Sequence, residues 1–372
     1  MILTQCASCA AELPRLARQC SRCKTRYCGP ACQKQHWEGG GHDKRCKKIR
    51  KGGGAEQYHA DQKYAEATTV AAEACADDTK GQTCYICTEA VHRHTKEGLV
   101  RGCACHTTEG FVHVSCLAEQ AKILVAEGEE NNLDMEPRWA QWHTFGLCEQ
   151  DYHGVVFCAL GWACWKTYVG RPEEDRARGL AMSALGNGLF DADHHEAALS
   201  VYNSRLSLMR RLGTSKFSML VLQGNLASTY YAMGYHEKAF LVRQDLYSAH
   251  LKLFGEEDIN TLGEVVNYTA SLVCLKRYEE AKSLMRKMMP VARRVLGESH
   301  EFTLKMRWQY AEVLYKNASA TLDDLREAVA TLNELTRTAR RVLGSSHPVA
   351  MVITSGLRDA RAALRAREAP PN

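Results

Sequence analysis

The sequence predicts a mainly α-helical chain in which two small, cysteine-rich modules at the N-terminus precede a solenoid of antiparallel helix pairs. Two patterns support this prediction: 14 of the 17 cysteines lie within the first 150 residues, and from about residue 180 several markers recur every 42 residues. The composition, with 45% hydrophobic and 24% charged residues, is that of a globular protein. A chain of 372 residues is long enough for two to four folded units.

The cellular compartment of the protein bears on how its cysteines are used, and it can be inferred from export and membrane signals. The first six residues lack the basic segment and apolar run of a secretory signal, and the longest apolar stretch, residues 154–165, is shorter than the roughly 20 residues that cross a bilayer. We therefore expect a cytoplasmic or nuclear protein without a membrane span. In such a reducing compartment, closely spaced thiols indicate metal sites, because a disulfide would be reduced.

The first module carries four pairs of metal-binding side chains. They are Cys6 and Cys9, Cys20 and Cys23, Cys28 and Cys32, and His42 and Cys46. Two donors three or four positions apart can reach the same metal from one tight turn, and eight such donors suffice for two tetrahedral Zn²⁺ ions. A zinc ion with four protein ligands has no open position for water or substrate, so these ions would stabilise the fold and not catalyse a reaction.

The order of these ligands resembles the MYND finger, with Tyr27 before Cys28 and with Gln33 and Trp37 after Cys32. The resemblance implies an interleaved arrangement and a protein-interaction module, which in some family members binds proline-containing peptides. One zinc would be held by Cys6, Cys9, Cys28 and Cys32, and the other by Cys20, Cys23, His42 and Cys46.

A run of three glycines, residues 39–41, separates Trp37 from His42, where the family has a shorter spacing. His36 is therefore an alternative seventh ligand. We assign His42, because its spacing of four from Cys46 places both side chains on one face of a helix.

The second module contains Cys84 and Cys87, Cys103 and Cys105, and His113 and Cys116. These six positions resemble the RING-CH finger. The resemblance implies one zinc on Cys84, Cys87, His113 and Cys116, and a second zinc on Cys103, Cys105 and a final pair of cysteines.

The final pair departs from the family pattern, because Cys148 is present but Phe145 stands three residues before it. His143 can complete this site, while Cys158, His153, His106 and water are alternatives. A degraded site without metal also stays open. The second module is therefore expected to bind one or two zinc ions.

Fingers of the RING type recruit ubiquitin-conjugating enzymes, so the resemblance raises the question of ligase activity. Ile86 lies between the first two cysteines, where such fingers often place an apolar contact with the conjugating enzyme. Phe145 and the 28 residues between Cys116 and Phe145 argue against activity.

The repeats begin at about residue 180. Leu212-Gly213, Phe254-Gly255 and Leu296-Gly297 are 42 residues apart, and Leu343-Gly344 follows after 47; four alanines, Ala197, Ala239, Ala281 and Ala328, keep the same spacing. Each repeat fits two helices that pack closely at the alanine, with a glycine ending the second helix. This pattern resembles the tetratricopeptide repeats (TPR) of the kinesin light chain type.

Asn225, Asn267 and Gln309 recur at one position of successive first helices, which line the concave groove in the TPR family. Their carboxamides can pair with the backbone of an extended peptide. Alternatively, they bridge neighbouring repeats.

These predictions divide the chain into six segments. They are a MYND-type finger at 1–51, a linker with an alanine-rich helix at 52–82, a RING-CH-like module at 83–150, a connecting helix at 151–179, a TPR-like helical solenoid at 180–366 and a tail at 367–372. The predicted fold class is thus mainly α, with two zinc-stabilised modules followed by the solenoid.

The charge and motif content limits the function. Residues 1–51 contain 12 Lys and Arg against three Asp and Glu, but no aromatic interleaving accompanies them, which disfavours nucleic acid as a partner. No phosphate-binding glycine motif and no stretch with the signatures of a SET methyltransferase is present. The sequence therefore predicts a zinc-binding adaptor that binds proteins or peptides, with an E3 ubiquitin ligase that uses a ubiquitin-conjugating enzyme as the alternative.

Overall fold

The computed structural model describes residues 5–11, 13, 17–101, 110–147, 150–343 and 348–368. The chain divides into two compact units, Met1–Asn225 and Leu226–Asn372. Most described residues are helical, and the described strands are two short antiparallel pairs. The predicted fold class, mainly α with cysteine-rich modules before helical repeats, is confirmed.

The first unit begins with the two small modules. Its elements are β1 (Arg18–Gln19), β2 (Arg26–Tyr27), α1 (Pro30–Glu38), α2 (His42–Lys51), α3 (Ala55–Ala74), β3 (Val100–Arg101), β4 (Phe111–Val112), α4 (Val114–Glu130), α5 (Glu136–Ala140), α6 (Gly154–Tyr168), α7 (Arg176–Asp191) and α8 (His195–Leu212). Arg18 pairs with Tyr27 in the first hairpin, and Val100 pairs with Val112 in the second. Helix α9 (Lys216–Ala232) contains the boundary between the units.

Helix α6 forms the centre of the first unit. It packs against α3, α4 and α7, and ten of its 15 residues are buried. A Cβ atom on Gly161 would lie 3.0 Å from the carbonyl oxygen of Ala184, and one on Gly188 of α7 would lie 2.6 Å from that of Phe157. Glycine is therefore required for the close approach of α6 and α7. None of the helices in the described ranges is long and apolar enough to span a membrane.

The second unit is built from helix pairs. Its elements are α10 (His236–Phe254), α11 (Ile259–Cys274), α12 (Tyr278–Leu296), α13 (Glu301–Lys316), α14 (Leu322–Leu343) and α15 (Pro348–Glu368). Ala239, Ala281 and Ala328 are fully buried. Gly255 and Gly297 follow α10 and α12 with φ of 84° and 85°, a region that favours glycine, so each glycine ends a helix as the repeat pattern predicts.

A buried ion pair links α10 to α11. The Arg243 guanidinium donates to both carboxylate oxygens of Glu264, at 3.2 and 2.9 Å, and to the Ser228 hydroxyl at 2.6 Å. Both charged side chains are only 7% exposed. Burial raises the pKa of Glu264 to about 7, although Arg243 lowers it. Loss of Arg243 would therefore leave the Glu264 carboxylate buried away from water without a positive partner.

Replacement of Arg243 by Ala should lower the free energy of unfolding by about 3–5 kcal/mol, because it leaves a buried charge without its partner. The loss should depend on pH. The folded-state pKa of Glu264 lies above the ordinary value of 4.5. Below pH 4.5 Glu264 is therefore protonated in both the folded and the unfolded state, and the unpaired charge costs no stability. The loss of stability grows as Glu264 ionises, when the pH rises through and above 7. Urea unfolding of the full chain at about pH 5 and about pH 8 measures both effects.

The matched control is Arg294→Ala. Arg294 pairs with Glu257, and the two side chains are 65% and 68% exposed, so its removal should cost less than about 1 kcal/mol. Equal losses from Arg243→Ala and Arg294→Ala, or a larger loss for Arg243→Ala at the lower pH, would contradict the assigned role of the buried pair.

Candidate metal centres

The structure brings 12 Cys and His side chains into three groups of four. Within each group, all ligand atoms lie within 4.8 Å of one another. The groups are set 1 (Cys6, Cys9, Cys28, Cys32), set 2 (Cys20, Cys23, His42, Cys46) and set 3 (Cys84, Cys87, His113, Cys116). Two sulfurs bound to one tetrahedral zinc, each at about 2.3 Å, lie about 3.8 Å apart, so the size of each group fits this ion.

Set 1 joins a tight turn to the start of α1. In the turn, the Cys6 N–H donates to the Ala11 carbonyl at 2.7 Å, and Ala10 takes the left-handed conformation with φ of 59°. The Sγ atoms of Cys9 and Cys28 lie 3.6 Å apart, and those of Cys28 and Cys32 lie 3.4 Å apart. The turn thus places two sulfurs against those of Cys28, just before α1, and Cys32, in its first turn.

Set 2 joins the turn between β1 and β2 to helix α2. Cys23 Sγ lies 3.4 Å from His42 Nε2, and Cys20 Sγ lies 3.8 Å from Cys46 Sγ. All four residues are buried. The first ligand pair of the finger therefore meets the third, and the second meets the fourth, which is the interleaved arrangement that the family resemblance implies.

His36 lies beside set 2 but does not belong to it. Its Nδ1 is 3.1 Å from the Tyr27 hydroxyl, and Arg45 lies 3.4 Å from its Nε2. Burial lowers the pKa of His36, and Arg45 lowers it further, so a neutral ring is favoured. A Cβ atom on Gly40 would lie 2.3 Å from this ring. The inserted glycines thus let the chain pass over His36, and the structure places His42 among the ligands.

Set 3 lies in the second module and joins a third tight turn to the start of α4. Cys87 Sγ lies 3.3 Å from His113 Nδ1, and Cys116 Sγ lies 3.8 Å from the same nitrogen. Backbone N–H groups of Ile86 and Cys87 donate to Cys84 Sγ at 3.4 and 3.5 Å. The β3–β4 hairpin separates the turn from the helix in the chain and leads directly into His113.

The electrostatics of the sets favour a bound cation. Burial raises the pKa of Cys6, but backbone N–H groups, first that of Cys28, outweigh it and lower the pKa to about 6. In the same set, the hydrogen bond with Cys32 raises the pKa of Cys28 to about 12. One thiolate thus forms readily, while Cys28 stays protonated until a cation compensates the added negative charge. Burial also lowers the pKa of His42 and of His113, which keeps both rings in the neutral form that binds zinc.

The predicted fourth zinc site is only partly within the described ranges. Cys103, Cys105, His106 and Cys148 lie outside the described residues. The His143 side chain is 47% exposed and lies 3.7 Å from the Asp151 carboxylate, and its Nδ1 is 3.0 Å from the Thr144 hydroxyl.

Phe145, which stands where the RING-CH pattern has a cysteine, is 1% exposed. Its ring packs edge-on against Tyr85 and Tyr152, with centroids 5.8 and 5.9 Å away. It therefore belongs to the hydrophobic core of the module.

One feature of the second module was not predicted from the sequence. The turn from His92 to Glu97 has the hydrogen bonds of the cysteine turns: His92 N–H donates to the Glu97 carbonyl at 3.0 Å, and Lys96 N–H donates to the His92 carbonyl at 2.9 Å. Lys96 is left-handed, with φ of 61°. His92 Nδ1 and the Thr95 hydroxyl, 2.8 Å apart, occupy the two ligand positions. The sequence does contain a signal for this turn. His92 and Thr95 have the spacing of Cys20 and Cys23, and a lysine follows each pair.

Glu97, the last residue of this turn, supports set 3. Its carboxylate accepts a 2.7 Å hydrogen bond from the backbone N–H of Ser115, in the first turn of α4. An acidic group at the start of a helix is stabilising, so Glu97 holds the helix end that presents His113 and Cys116.

The remaining candidate residues are not metal ligands, although Ile86 lies in the turn of set 3. Ile86 is 39% exposed. The Asn225 amide donates to Asn187 at 3.1 Å, and the Gln309 amide donates to the carbonyl of Val266 at 2.9 Å. Gln309 is buried, whereas Asn267 is exposed. Gln309 thus bridges neighbouring repeats, and peptide binding in this row stays a prediction for which Asn267 is the best placed.

Comparisons with known proteins agree with two of these modules. Residues 6–46 match the family model of the MYND finger, and residues 270–301 match that of a tetratricopeptide repeat. The first module is therefore a MYND finger, and the second unit contains tetratricopeptide repeats. The second module is a further Cys/His zinc-binding module. No curated protein matches the chain.

Solved structures resemble parts of the chain. Two crystal structures of a Podosopora anserina protein described as a kinesin light chain with nearly identical TPR-like repeats align with a TM-score of 0.43. They are 19% and 18% identical, and the alignments cover 51% and 52% of this chain and 88% and 90% of theirs. BtubC (BKLC) from P. vanneervenii aligns with a TM-score of 0.38 at 12% identity, over 70% of this chain and 92% of its own.

Cys46→Ala should remove one zinc ion per chain. A set with three protein ligands binds structural zinc much more weakly, and helix α2 loses its attachment to the β1–β2 turn. Zinc content of purified protein, measured by elemental analysis after dialysis, tests this expectation.

Cys164→Ala is the control, because Cys164 is also a buried cysteine but belongs to none of the three sets and is not a candidate ligand of the predicted fourth site. It should retain the full zinc content even if it unfolds at a lower temperature. Loss of no zinc in Cys46→Ala, or equal loss in both variants, would refute the assignment of set 2.

Proposed function

We propose that this protein is a zinc-stabilised adaptor whose MYND finger and helical repeats each bind a segment of a partner protein. The observation that carries the proposal is the composition of the three metal sets, each of which offers four protein ligands to one ion. Zinc held in this way has no open coordination position and stabilises a binding surface. The thiol-rich sets also suit a reducing compartment, so we place the adaptor in the cytoplasm or nucleus.

The surface of the finger that suits a peptide lies on α1. This helix has no buried residue, and its Trp37 is 38% exposed. Nearby, Arg18 on β1 donates to the Gln33 side chain at 2.6 Å, which ties the hairpin to the helix. Exposed tryptophan is favoured at binding surfaces because it combines a large apolar face with one hydrogen-bond donor. Grooves lined by aromatic side chains commonly bind proline-rich segments.

In the repeats, the proposed contact is made by the exposed side of the first helices. Asn267 on α11 is exposed, and its amide can both donate to and accept from the backbone of an extended segment. Such contacts give affinity with little selection of side chains. The choice of partner would therefore depend mainly on the finger.

Trp37→Ala should weaken the binding of proline-containing peptides to the full-length, zinc-loaded protein by at least about tenfold, since a buried interface tryptophan commonly contributes 2 kcal/mol or more. Fluorescence anisotropy with a panel of labelled peptides measures the effect, and elemental analysis verifies that the zinc content is unchanged. Tyr235→Ala, which removes an aromatic side chain that is 54% exposed, is the control and should bind like the wild type. If no peptide in the panel binds the wild type, the finger does not have the proposed role.

The second candidate function is that of an E3 ubiquitin ligase, in which the second module recruits a ubiquitin-conjugating enzyme and the other modules select the substrate. One observation favours it: Ile86 in the Cys84 turn and Leu147 in the turn after Phe145 are 39% and 58% exposed. Apolar side chains exposed on two turns of one module are typical of an interaction surface.

A ubiquitination assay with purified protein and a panel of conjugating enzymes separates the two functions. The adaptor proposal expects no chain formation above the level seen without the protein. Val70→Ala is the control, since Val70 on α3 is 50% exposed. Chain formation that Ile86→Ala abolishes and Val70→Ala leaves intact would establish the ligase and overturn the adaptor proposal.

A further inference from the structure

Helix α2 presents an unusual concentration of positive charge. Of its ten residues, His42, Cys46 and Ile49 are buried. The other seven are exposed, and six of them are basic: Lys44, Arg45, Lys47, Lys48, Arg50 and Lys51. Among the described residues, none of these six side chains forms an ion pair, although the finger supplies Asp43 on the same helix and Glu38 on α1.

The stability of the finger explains part of this charge. Lys48, Arg50 and Lys51 lie in the last turn of α2, where cations interact favourably with the helix dipole. Arg45 donates to the carbonyl of Gly40, and Lys48 lies 5.8 Å from the centroid of the Tyr58 ring. Within the part of the finger that the structure describes, no such contact accounts for Lys44 or Lys47.

Lys44 and Lys47 lower the stability of helix α2. Lys44 lies in the first turn, where the helix dipole disfavours a cation. Like charges three or four residues apart on a helix repel each other by a few tenths of a kcal/mol per pair, and Lys44, Lys47 and Lys51 form such a series. Local rules are commonly broken at functional positions, so these lysines point to a bound anion.

We propose that the exposed face of α2 binds an acidic segment of a partner protein. Lys44, Lys47, Lys48 and Lys51 lie within an arc of about 100° around the helix, over a length of about 10 Å. This length matches three or four successive residues of an extended acidic segment, at about 3.3 Å per residue. Because set 2 fixes His42 and Cys46, the backbone that carries the lysines is held in place before the partner arrives, which lowers the entropic cost of binding.

The composition of the face favours a protein over nucleic acid. Proteins that read base edges use Arg, Lys, Asn or Gln in a groove, and those that bind single strands stack bases on exposed aromatic rings. Helix α2 contains no Asn, Gln or aromatic residue other than the buried ligand His42. Its two arginines, Arg45 and Arg50, lie outside the arc of lysines. The inference rests on the proposed adaptor function and specifies the chemistry of one partner surface.

The test uses full-length, zinc-loaded protein and a fluorescein-labelled peptide of about twelve residues in which Glu and Ser alternate. Fluorescence anisotropy should show binding at about 50 mM NaCl that weakens strongly at about 200 mM, since screening acts on exposed charges. Lys44→Gln/Lys47→Gln/Lys51→Gln should weaken binding at least tenfold. Glutamine keeps the helix propensity of lysine and removes only the charge.

The matched control removes three exposed cations from α14, in Arg337→Gln/Arg340→Gln/Arg341→Gln, and should bind the acidic peptide like the wild type. A carbodiimide cross-link between wild-type protein and peptide, mapped by mass spectrometry, should fall on Lys44, Lys47 or Lys51. This second measurement needs no variant and stays informative if the triple glutamine variant loses zinc.

Three outcomes would overturn the proposal: no binding of the acidic peptide, equal weakening by the two triple variants, or tighter binding of a DNA duplex of about twenty base pairs than of the peptide. Trp37→Ala distinguishes this failure from failure of the adaptor function. It should leave the acidic peptide bound while it releases proline-containing peptides. If proline-containing peptides bind and the acidic peptide does not, only the role of α2 is refuted.

Discussion

The coordination of zinc by side chains that are distant in the chain is the constraint on which the N-terminal modules depend. Among the described residues, the buried cluster of the MYND finger contains four cysteines and, besides them, Tyr27, Ile49 and Ala55. So small a hydrophobic core cannot compensate the entropy lost when about 40 residues become ordered. The metal supplies the missing stabilisation, and the outward faces of α1 and α2 are consequently free to carry an exposed tryptophan and a row of lysines. Binding surfaces of this kind need a scaffold whose stability does not come from burying them.

In the described ranges, the repeats are stabilised by a hydrophobic core and not by a metal. Their stability comes from continuous apolar packing between successive helix pairs, with Leu262, Met285 and Leu332 completely buried. Arg243 and Glu264 enter this core as a pair, and Gln309 ties its helix to the backbone of the preceding repeat. Each charged or amide group that is used for packing is unavailable for binding, so the binding residues of the repeats must be sought among exposed positions such as Asn267.

The sequence predicted those features that depend on local spacing or on repetition. Cys6-x2-Cys9 or His42-x3-Cys46 restricts two donors to one turn, and the 42-residue period identifies helix pairs because independent markers share it. Contacts between distant residues were not predictable in this way. Whether Gln309 or Asn267 faced a neighbouring repeat depended on the rotation of each helix, and the packing of Phe145 against Tyr85 and Tyr152 depended on the path of the whole module. The pairing of the ligands into sets came from the family resemblance and not from the spacing.

The cysteine turns adopt a defined local conformation and also bind a metal, whereas the turn at His92 has the same conformation without a set of metal ligands among the residues that the structure describes. It has the same backbone hydrogen bonds as the turns at Cys6, Cys20 and Cys84, and the same left-handed residue at its fifth position, yet His92 and Thr95 close it with a hydrogen bond of 2.8 Å. The conformation of the turn therefore does not require a metal, since backbone bonds and one polar contact are sufficient.

What zinc adds is the link from the turn to a helix that begins many residues later, as from Cys84 to Cys116. At His92 that link is made instead through Glu97, whose carboxylate bonds to the first turn of α4. A hydrogen bond to one backbone N–H is weaker than coordination by four ligands, and it fixes the helix at one point only. The module can accept this weaker link because set 3 already holds the same helix.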